Sequence, residues 1–176
     1  MKSENREREE AFQHVYEDAF PILVRVVYRI TGNMDAAEEI CQEAFIRYYQ
    51  RMDSIPDAQQ GKYWLIRVSK NLALNHEKRK GRERRAYERA FHEPSPHMKS
   101  GEDHVLRGES VDTVQQALDT IPEKLRTVLI LKEYGDLSYK EIGRVLGISE
   151  GNVKIRVFRA REKLMNNLNA GDVYVP

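Results

Sequence analysis

Apolar residues recur at steps of three and four along most of the chain, which is the period of an amphipathic α-helix. In residues 10–30 the recurrence is nearly unbroken, and Pro21 is where the predicted helix would bend or divide. The turn at Thr31-Gly32-Asn33 predicts a second helix, with Asn33 or Asp35 as its N-cap. Because no segment alternates as a β-strand does, the sequence predicts an all-α fold.

The next two helices each have one apolar side. The apolar side of the second consists of Ala37, Ile40, Cys41, Ala44, Tyr48 and Met52. Residues 53–61 are polar and predict a loop. A third helix is predicted from Lys62 to Arg79 or beyond. Its apolar face carries Trp64, Leu65, Val68 and Leu72.

Residues 80–109 are polar, and their few apolar residues have no regular spacing, except for a stretch near 84–91 that favours a helix. A helical stripe resumes beyond Ser110, with Val111, Val114, Ala117, Leu118 and Ile121. The sequence therefore predicts two small helical domains, 1–80 and 110–168, joined by a flexible linker, 81–109, and followed by a tail, 169–176.

The second predicted domain has the helix start and stop signals of a helix-turn-helix. Pro122 suits the first turn of a helix, whose inner face carries Leu125, Val128 and Leu129 and which ends at Gly135. Ser138 and Glu141 have the spacing of a capping box. Gly147 then ends a short helix, and Ser149 caps a last one that runs to about Leu168.

The last predicted helix has one face for the core and another for a partner. Its buried stripe consists of Val153, Val157, Ala160 and Leu164. The opposite side carries Ile155, Phe158, Arg159 and Glu162, and Lys154 and Arg156 are on the flanks. Arginine bonds guanine edges in the major groove, and apolar groups contact thymine methyls. This pattern favours duplex DNA recognition; alternatively, Ile155 and Phe158 pack against the other domain or a partner protein.

The charge of the chain is divided into blocks. There are 29 basic and 28 acidic residues, for a net charge of +1. Residues 62–89 nevertheless contain 10 basic and 3 acidic residues, and residues 132–165 contain 8 and 5. Residues 1–53 and 90–131 are net acidic. Two basic blocks suit a chain that meets a polyanion in two places, although they are also compatible with solvated helix faces.

The basic block at 62–89 combines charge with aromatic and amide side chains. Tyr63 and Trp64 precede the basic residues, and Asn71 and Asn75 are one turn apart. Basic charge beside aromatic platforms suits single-stranded nucleic acid, and amides can bond the edge of an extruded base. The alternatives are that Trp64 belongs to the core and that the two asparagines are ordinary surface residues.

A single cysteine, Cys41, excludes an intrachain disulfide and a cysteine-based zinc site. The charged N-terminus lacks the apolar core of a signal peptide, and no apolar run approaches a membrane span. We therefore expect a cytoplasmic protein that does not insert into a membrane and needs no cofactor.

Three motifs in order resemble the extracytoplasmic-function (ECF) sigma factors of the sigma-70 family. NMDAAEEICQEAFIRYY at 33–49 is similar to the family segment that binds the clamp helices of RNA polymerase. YWLIRVSKNLALNHEKRK at 63–80 is similar to the helix that melts the promoter and reads its −10 element. LSYKEIGRVLGISEGNVKIRVFRAREKL at 137–164 is similar to the helix-turn-helix that reads the −35 element.

The resemblance implies a promoter-specificity subunit with three sets of site residues. Those that would contact the −35 duplex are Lys154, Ile155, Arg156, Phe158 and Arg159. Those that would contact the single-stranded −10 element are Arg67, Val68, Lys70, Asn71, Asn75, Lys78 and Arg79. Those that would bind polymerase are Asp35, Glu38, Glu39, Gln42 and Glu43. Asn71, Val68 and the loop Ile55–Gly61 would surround a flipped −10 base.

The partners implied by the resemblance are core RNA polymerase, promoter DNA and an anti-sigma factor, which could hold the protein at a membrane. The first alternative is a stand-alone helix-turn-helix regulator, which would account for residues 110–165 but not for the basic helix after Trp64. The second is a metal-dependent enzyme using Asp35, Glu39 and Glu43, or the histidines of the linker, His92, His97 and His104. No nucleophile-elbow, P-loop or dinucleotide motif supports an enzyme, and none is expected.

Overall fold

The computed structural model describes residues 2–91 and 108–171, with side chains described from 6 to 91 and from 113 to 168. All of its regular secondary structure within these ranges is helical, as the apolar period predicted. The helices are α1 (Lys2–Thr31), α2 (Met34–Arg51), a 3-10 turn (Met52–Ser54), α3 (Ala58–Phe91), α4 (Gly108–Asp119), α5 (Glu123–Tyr134), α6 (Tyr139–Leu146) and α7 (Glu150–Gly171).

Helices α1, α2 and α3 form the first bundle, in which α1 contacts both of the others. The apolar side predicted for α2 is buried from Ala37 to Tyr48. Asn33 is the N-cap of α2, since its side-chain oxygen accepts a hydrogen bond from the Ala36 amide at 2.8 Å. Pro21 neither ends nor divides α1, which is continuous from Lys2 to Thr31.

Helix α3 begins earlier than predicted, and it continues through the stretch near 84–91 that favoured a helix. It begins at Ala58 rather than Lys62, because the Asp57 carboxylate accepts a hydrogen bond from the Gln60 amide at 2.7 Å. It ends at Phe91, eleven residues into the segment predicted as linker. Salt bridges one turn apart, Arg79–Glu83 at 3.7 Å and Arg84–Glu88 at 3.6 Å, favour this extension.

Helices α4 to α7 form the second bundle, and its helix-turn-helix has the caps that the sequence predicted. Ser138 and Glu141 make both hydrogen bonds of the capping box of α6. Gly147 ends α6 in the left-handed conformation, at φ 69°, and the Ile148 amide bonds the Gly143 carbonyl at 3.0 Å. Pro122 differs slightly from expectation, since it precedes α5 as its N-cap. Helix α7 continues beyond Leu168 to Gly171.

Helix α5 is buried on two sides because the two bundles pack against each other. Leu129 belongs to a small core that includes Leu118, Ile121 and Ala160. Ile130 and Leu131 instead belong to the larger core that contains the apolar residues of α1 and α3. Every side chain from Thr127 to Leu131 is buried. The apolar run Val128–Leu131 therefore contributes side chains to the cores of both domains.

Polar contacts extend this junction between the domains. The Arg25 guanidinium bonds the Asp136 carboxylate at 2.9 Å, and the Gln115 amide bonds the Arg29 carbonyl at 3.2 Å. The Arg29 guanidinium also lies 4.8 Å from the centre of the Tyr134 ring. A cavity of about 350 Å³ lies at the same junction, and the Lys62–Asp18 salt bridge lines part of it.

Candidate nucleic-acid interface

Helix α7 presents the face that the sequence predicted for DNA. Val153, Val157 and Ala160 are buried, so the side chains between them must point outward. Phe158 is 69% exposed and Ile155 is 51% exposed. Both side chains stay largely exposed rather than buried against the other domain, so that part of the alternative is wrong. The part that invokes a partner protein stays open. Single exposed apolar side chains are common, but two beside arginines on one face indicate a contact surface.

The positive charge of α7 is distributed unevenly. Lys154 bonds Glu150 at 2.8 Å, and this hydrogen bond raises the pKa of the lysine. Arg161 bonds Glu133 at 2.6 Å. Within the described part of the chain, Arg156 and Arg159 have no carboxylate partner. Arg159 is exposed beside Phe158 and Arg156 is half-buried, so both guanidinium groups remain available for an anion.

The basic face of α3 lies partly against the second domain. Arg67 is exposed, and its guanidinium donates a hydrogen bond to the Arg144 carbonyl at 3.0 Å. Lys70 is half-buried, and its burial, reinforced by Arg67, lowers its pKa. The Lys78 ammonium lies 3.5 Å from the Glu123 carboxylate. Three of the residues predicted to contact DNA therefore face helices α5 and α6 in this arrangement.

The two asparagines of α3 lie one turn apart and are both exposed. Arg79 is exposed one turn beyond Asn75. Val68 and Ile55 are half-buried and pack against the core, so only their edges are accessible. The loop predicted around the asparagines is shorter than expected, because residues 58–61 are the first turn of α3. The cavity at the domain junction is lined by neither Val68 nor Asn71.

The aromatic pair at the start of α3 does not form an exposed platform. Tyr63 is buried, and its hydroxyl donates a hydrogen bond to the Glu141 carboxylate and accepts one from Gln59 at 2.9 Å. Burial and this contact raise the pKa of Tyr63. Trp64 is half-buried, and its ring centre is 6.1 Å from that of Tyr48. Both rings serve the core more than a ligand.

Glu141 connects the helix-turn-helix to the first domain. Its carboxylate accepts hydrogen bonds from Ser138 and Tyr63, and these hold its pKa at about 2, well below the usual 4.5. The spacing of a capping box revealed the Ser138 contact in the sequence. The Tyr63 contact joins residues 78 positions apart and has no local signal.

The five predicted polymerase-binding side chains of α2 are all exposed on its outer face. The sequence interpretation missed that an apolar residue lies among them, since Ile46 is 60% exposed one turn after Gln42. Tyr49 continues the same face, with the Arg8 guanidinium 4.6 Å above its ring. An apolar centre with a charged rim is typical of a protein interface. The residues of this face are Asp35, Glu38, Glu39, Gln42, Glu43, Ile46 and Tyr49.

Within the described residues, no three histidine, cysteine, aspartate or glutamate side chains are arranged to hold a metal ion. The linker histidines lie outside those residues. Burial raises the pKa of the Cys41 thiol to about 12, which leaves it unreactive. The helices of the described ranges also include none with the length and apolar character to cross a membrane.

Comparison with known proteins identifies both bundles. The family described as Sigma-70 region 2 matches residues 15–83, and the family described as Sigma-70, region 4 matches residues 112–164. The ECF RNA polymerase sigma factor SigW of Bacillus subtilis is 33% identical over 96% of this chain and 94% of its own. The RNA polymerase sigma-H factor of Pseudomonas aeruginosa is 33% identical over 81% of this chain and 78% of its own.

A solved structure has the same fold. The sigma factor RpoE from Bartonella quintana, crystallised in complex with the anti-sigma factor NepR, has a TM-score of 0.72 at 22% identity. The match covers 90% of this chain and 96% of that one. Together with this fold, the matches to regions 2 and 4 define a transcription initiation factor of the sigma type. With its sequence relatives, they establish that the chain belongs to the ECF sigma factors of the sigma-70 family.

The family resemblance drawn from the three motifs is confirmed. Members of this family are promoter-specificity subunits of bacterial RNA polymerase that direct transcription initiation, and this is the function of the chain. The alternative of a stand-alone regulator is not favoured, because it leaves the match to region 2 unexplained.

Proposed function

We propose that three surfaces of the chain divide the work of promoter recognition. Helix α7 reads the −35 duplex with Lys154, Ile155, Arg156, Phe158 and Arg159. Helix α3 holds the melted −10 strand with Arg67, Val68, Lys70, Asn71, Asn75, Lys78 and Arg79. The exposed face of α2 that carries Asp35, Glu38, Glu39, Gln42 and Glu43 docks on core polymerase. Residues 1–80 and 110–168 act as the two functional domains, with 81–109 connecting them.

The observation that carries this proposal is the outer face of α7. An exposed phenylalanine and isoleucine beside two unpaired arginines have no role in the fold, and they suit thymine methyls, guanine edges and phosphates. The protein acts by recruitment and strand capture rather than by covalent catalysis. Extruding a base costs a few kcal/mol, which contacts with the base and the phosphates offset.

The packed arrangement of the domains supports a second part of the proposal. Arg67, Lys70 and Lys78 face α5 and α6, so α3 can hold the −10 strand only after the second domain moves away. We propose that this arrangement is the resting state in the cytoplasm and that an anti-sigma factor stabilises it. A membrane-bound inhibitor would place the complex at the membrane.

Footprinting with and without core polymerase tests the division of surfaces. We expect protection of both promoter elements only when polymerase is present, because the net charge of +1 gives the free protein weak affinity for duplex DNA. Equal protection by the protein alone would contradict the proposal. A purified complex with an inhibitor that leaves the footprint unchanged would contradict the role of the anti-sigma factor.

A further inference from the structure

The last 14 residues of α3, Lys78–Phe91, form an exposed extension of the helix. From Lys78 to Phe91 no side chain is buried. The large apolar side chains of the extension, Tyr87 and Phe91, contact each other with ring centres 4.5 Å apart and stay exposed, so the extension adds nothing to the core. Its charges therefore reflect another role or the ion pairs along its own surface. Those ion pairs use only some of its charges.

Basic residues of this extension line up with the face proposed for the −10 strand. At 100° per residue, Lys78, Arg82, Arg85 and Arg89 fall within about 60° of one another. Asn71 and Arg67 fall within the same 60°. We name Lys78, Arg82, Arg85 and Arg89 the basic stripe. It continues the proposed strand-binding face without interruption for about 21 Å beyond Asn75.

The two acidic residues of the extension pair with arginines that lie outside the basic stripe. Glu83 lies 3.7 Å from Arg79 and Glu88 lies 3.6 Å from Arg84, and neither arginine belongs to the basic stripe. Within the described part of the chain, Arg82, Arg85 and Arg89 have no carboxylate partner. Lys78 has Glu123, a residue of the domain that the proposed function requires to move away. The stripe therefore contains four of the seven basic residues between Lys78 and Phe91 and neither of the two acidic ones.

We infer that the basic stripe binds the phosphate backbone of duplex DNA immediately upstream of the melted −10 strand. The inference rests on the proposed function of α3. In the order of the chain, the extension lies between the residues proposed for the −10 strand and the domain proposed to read the −35 element. About 21 Å of helix matches about six base pairs of B-DNA. Guanidinium groups bind phosphates at any sequence, so this contact adds affinity without base preference.

Salt dependence of promoter binding by the holoenzyme tests the inference. Arg82→Ala/Arg85→Ala removes two charges from the stripe, and Lys80→Ala/Arg84→Ala removes two from the opposite side of the same helix turns. Alanine favours helix, so both variants keep the extension folded, which circular dichroism verifies. For the stripe variant we expect the slope of log affinity against log salt to fall in magnitude by about two. We expect the control to keep the wild-type slope.

A second measurement locates the contact on the DNA. Neutral methylphosphonates in the six base pairs upstream of the −10 element remove the phosphate partners of all four stripe residues. They should therefore lower the wild-type slope by about four and the slope of the stripe variant, which keeps Lys78 and Arg89, by about two. The inference would be overturned if the stripe variant and the control variant had the same salt slope. It would also be overturned if the stripe variant lost affinity for core polymerase while its salt slope stayed at the wild-type value. If the wild-type holoenzyme initiates at the promoter but the slopes do not change as expected, only the inference about the stripe is refuted. If the wild-type holoenzyme does not initiate there, the proposed function itself is refuted.

Discussion

Arg159 is the residue on which −35 recognition depends most in this account. It is exposed beside Phe158 and has no carboxylate partner among the described residues. We expect Arg159→Ala to weaken holoenzyme binding by about 1–3 kcal/mol, the value of a bidentate base contact, and to relax base preference at one −35 position. Binding to −35 variants measures both effects. Lys163→Ala, one turn further on, is the matched control and should preserve base preference.

Asn71 tests the other DNA contact at the same scale. Its side chain is exposed on the face proposed for the −10 strand, so its loss leaves the core intact. We expect Asn71→Ala to reduce permanganate reactivity of −10 thymines severalfold while the −35 footprint persists, because amide contacts offset the cost of base extrusion. Unchanged permanganate reactivity would remove Asn71 from the strand-binding set.

Glu141 gives the helix-turn-helix element a distinct pH dependence. The pKa of Glu141 in the folded protein, about 2, lies below the ordinary 4.5. The ionised carboxylate therefore stabilises the folded state above about pH 4.5, and this stabilisation is lost as the pH falls toward 2. We expect Glu141→Gln to be less stable than wild type at pH 7 and the difference to shrink below pH 4.5. Urea midpoints across this range measure it. Glu162→Gln, which removes an exposed carboxylate of α7, should run parallel to wild type.

Local signals explain why α6 and α7 were predictable. Their caps at Ser138 and Ser149, the left-handed Gly147 and the buried stripe of α7 all act within a few residues. The start of α3 had a local signal too, since Asp57 followed by Gln60 has the spacing of an N-cap and its amide partner. The prediction of a loop over residues 53–61 overlooked this cap.

The junction between the domains was not predictable in the same way. The burial of Tyr63 and its contact with Glu141 depend on residues far apart in the chain. The one sequence signal was the run Val128–Leu131, whose four consecutive apolar residues are more than a one-sided helix needs. Which surface covers the second side could be learned only from the packed structure. The exposure of Ile46, in contrast, was predictable, because helical spacing places it opposite the apolar side of α2.

The whole molecule should respond to weakening of that junction. Tyr63→Phe keeps the buried ring but loses the hydroxyl that bonds Glu141 and Gln59. If α3 is held by the second domain at rest, we expect this variant to associate with core polymerase severalfold faster, because hydrogen bonds to charged groups are worth about 1.5–3 kcal/mol. Stopped-flow association measures the rate. Tyr48→Phe, inside the first bundle, is the control, and an equal increase there would contradict the account.

The central claim is that the chain gives core RNA polymerase its choice of promoter. In vitro transcription by core polymerase on a promoter library, with and without this protein, tests it most directly. The account predicts that added protein selects templates sharing one pair of −35 and −10 elements at a constant spacing. Arg159→Ala should change the selected −35 element alone. Transcription that is unselective, or repression of templates already active without the protein, would contradict the claim.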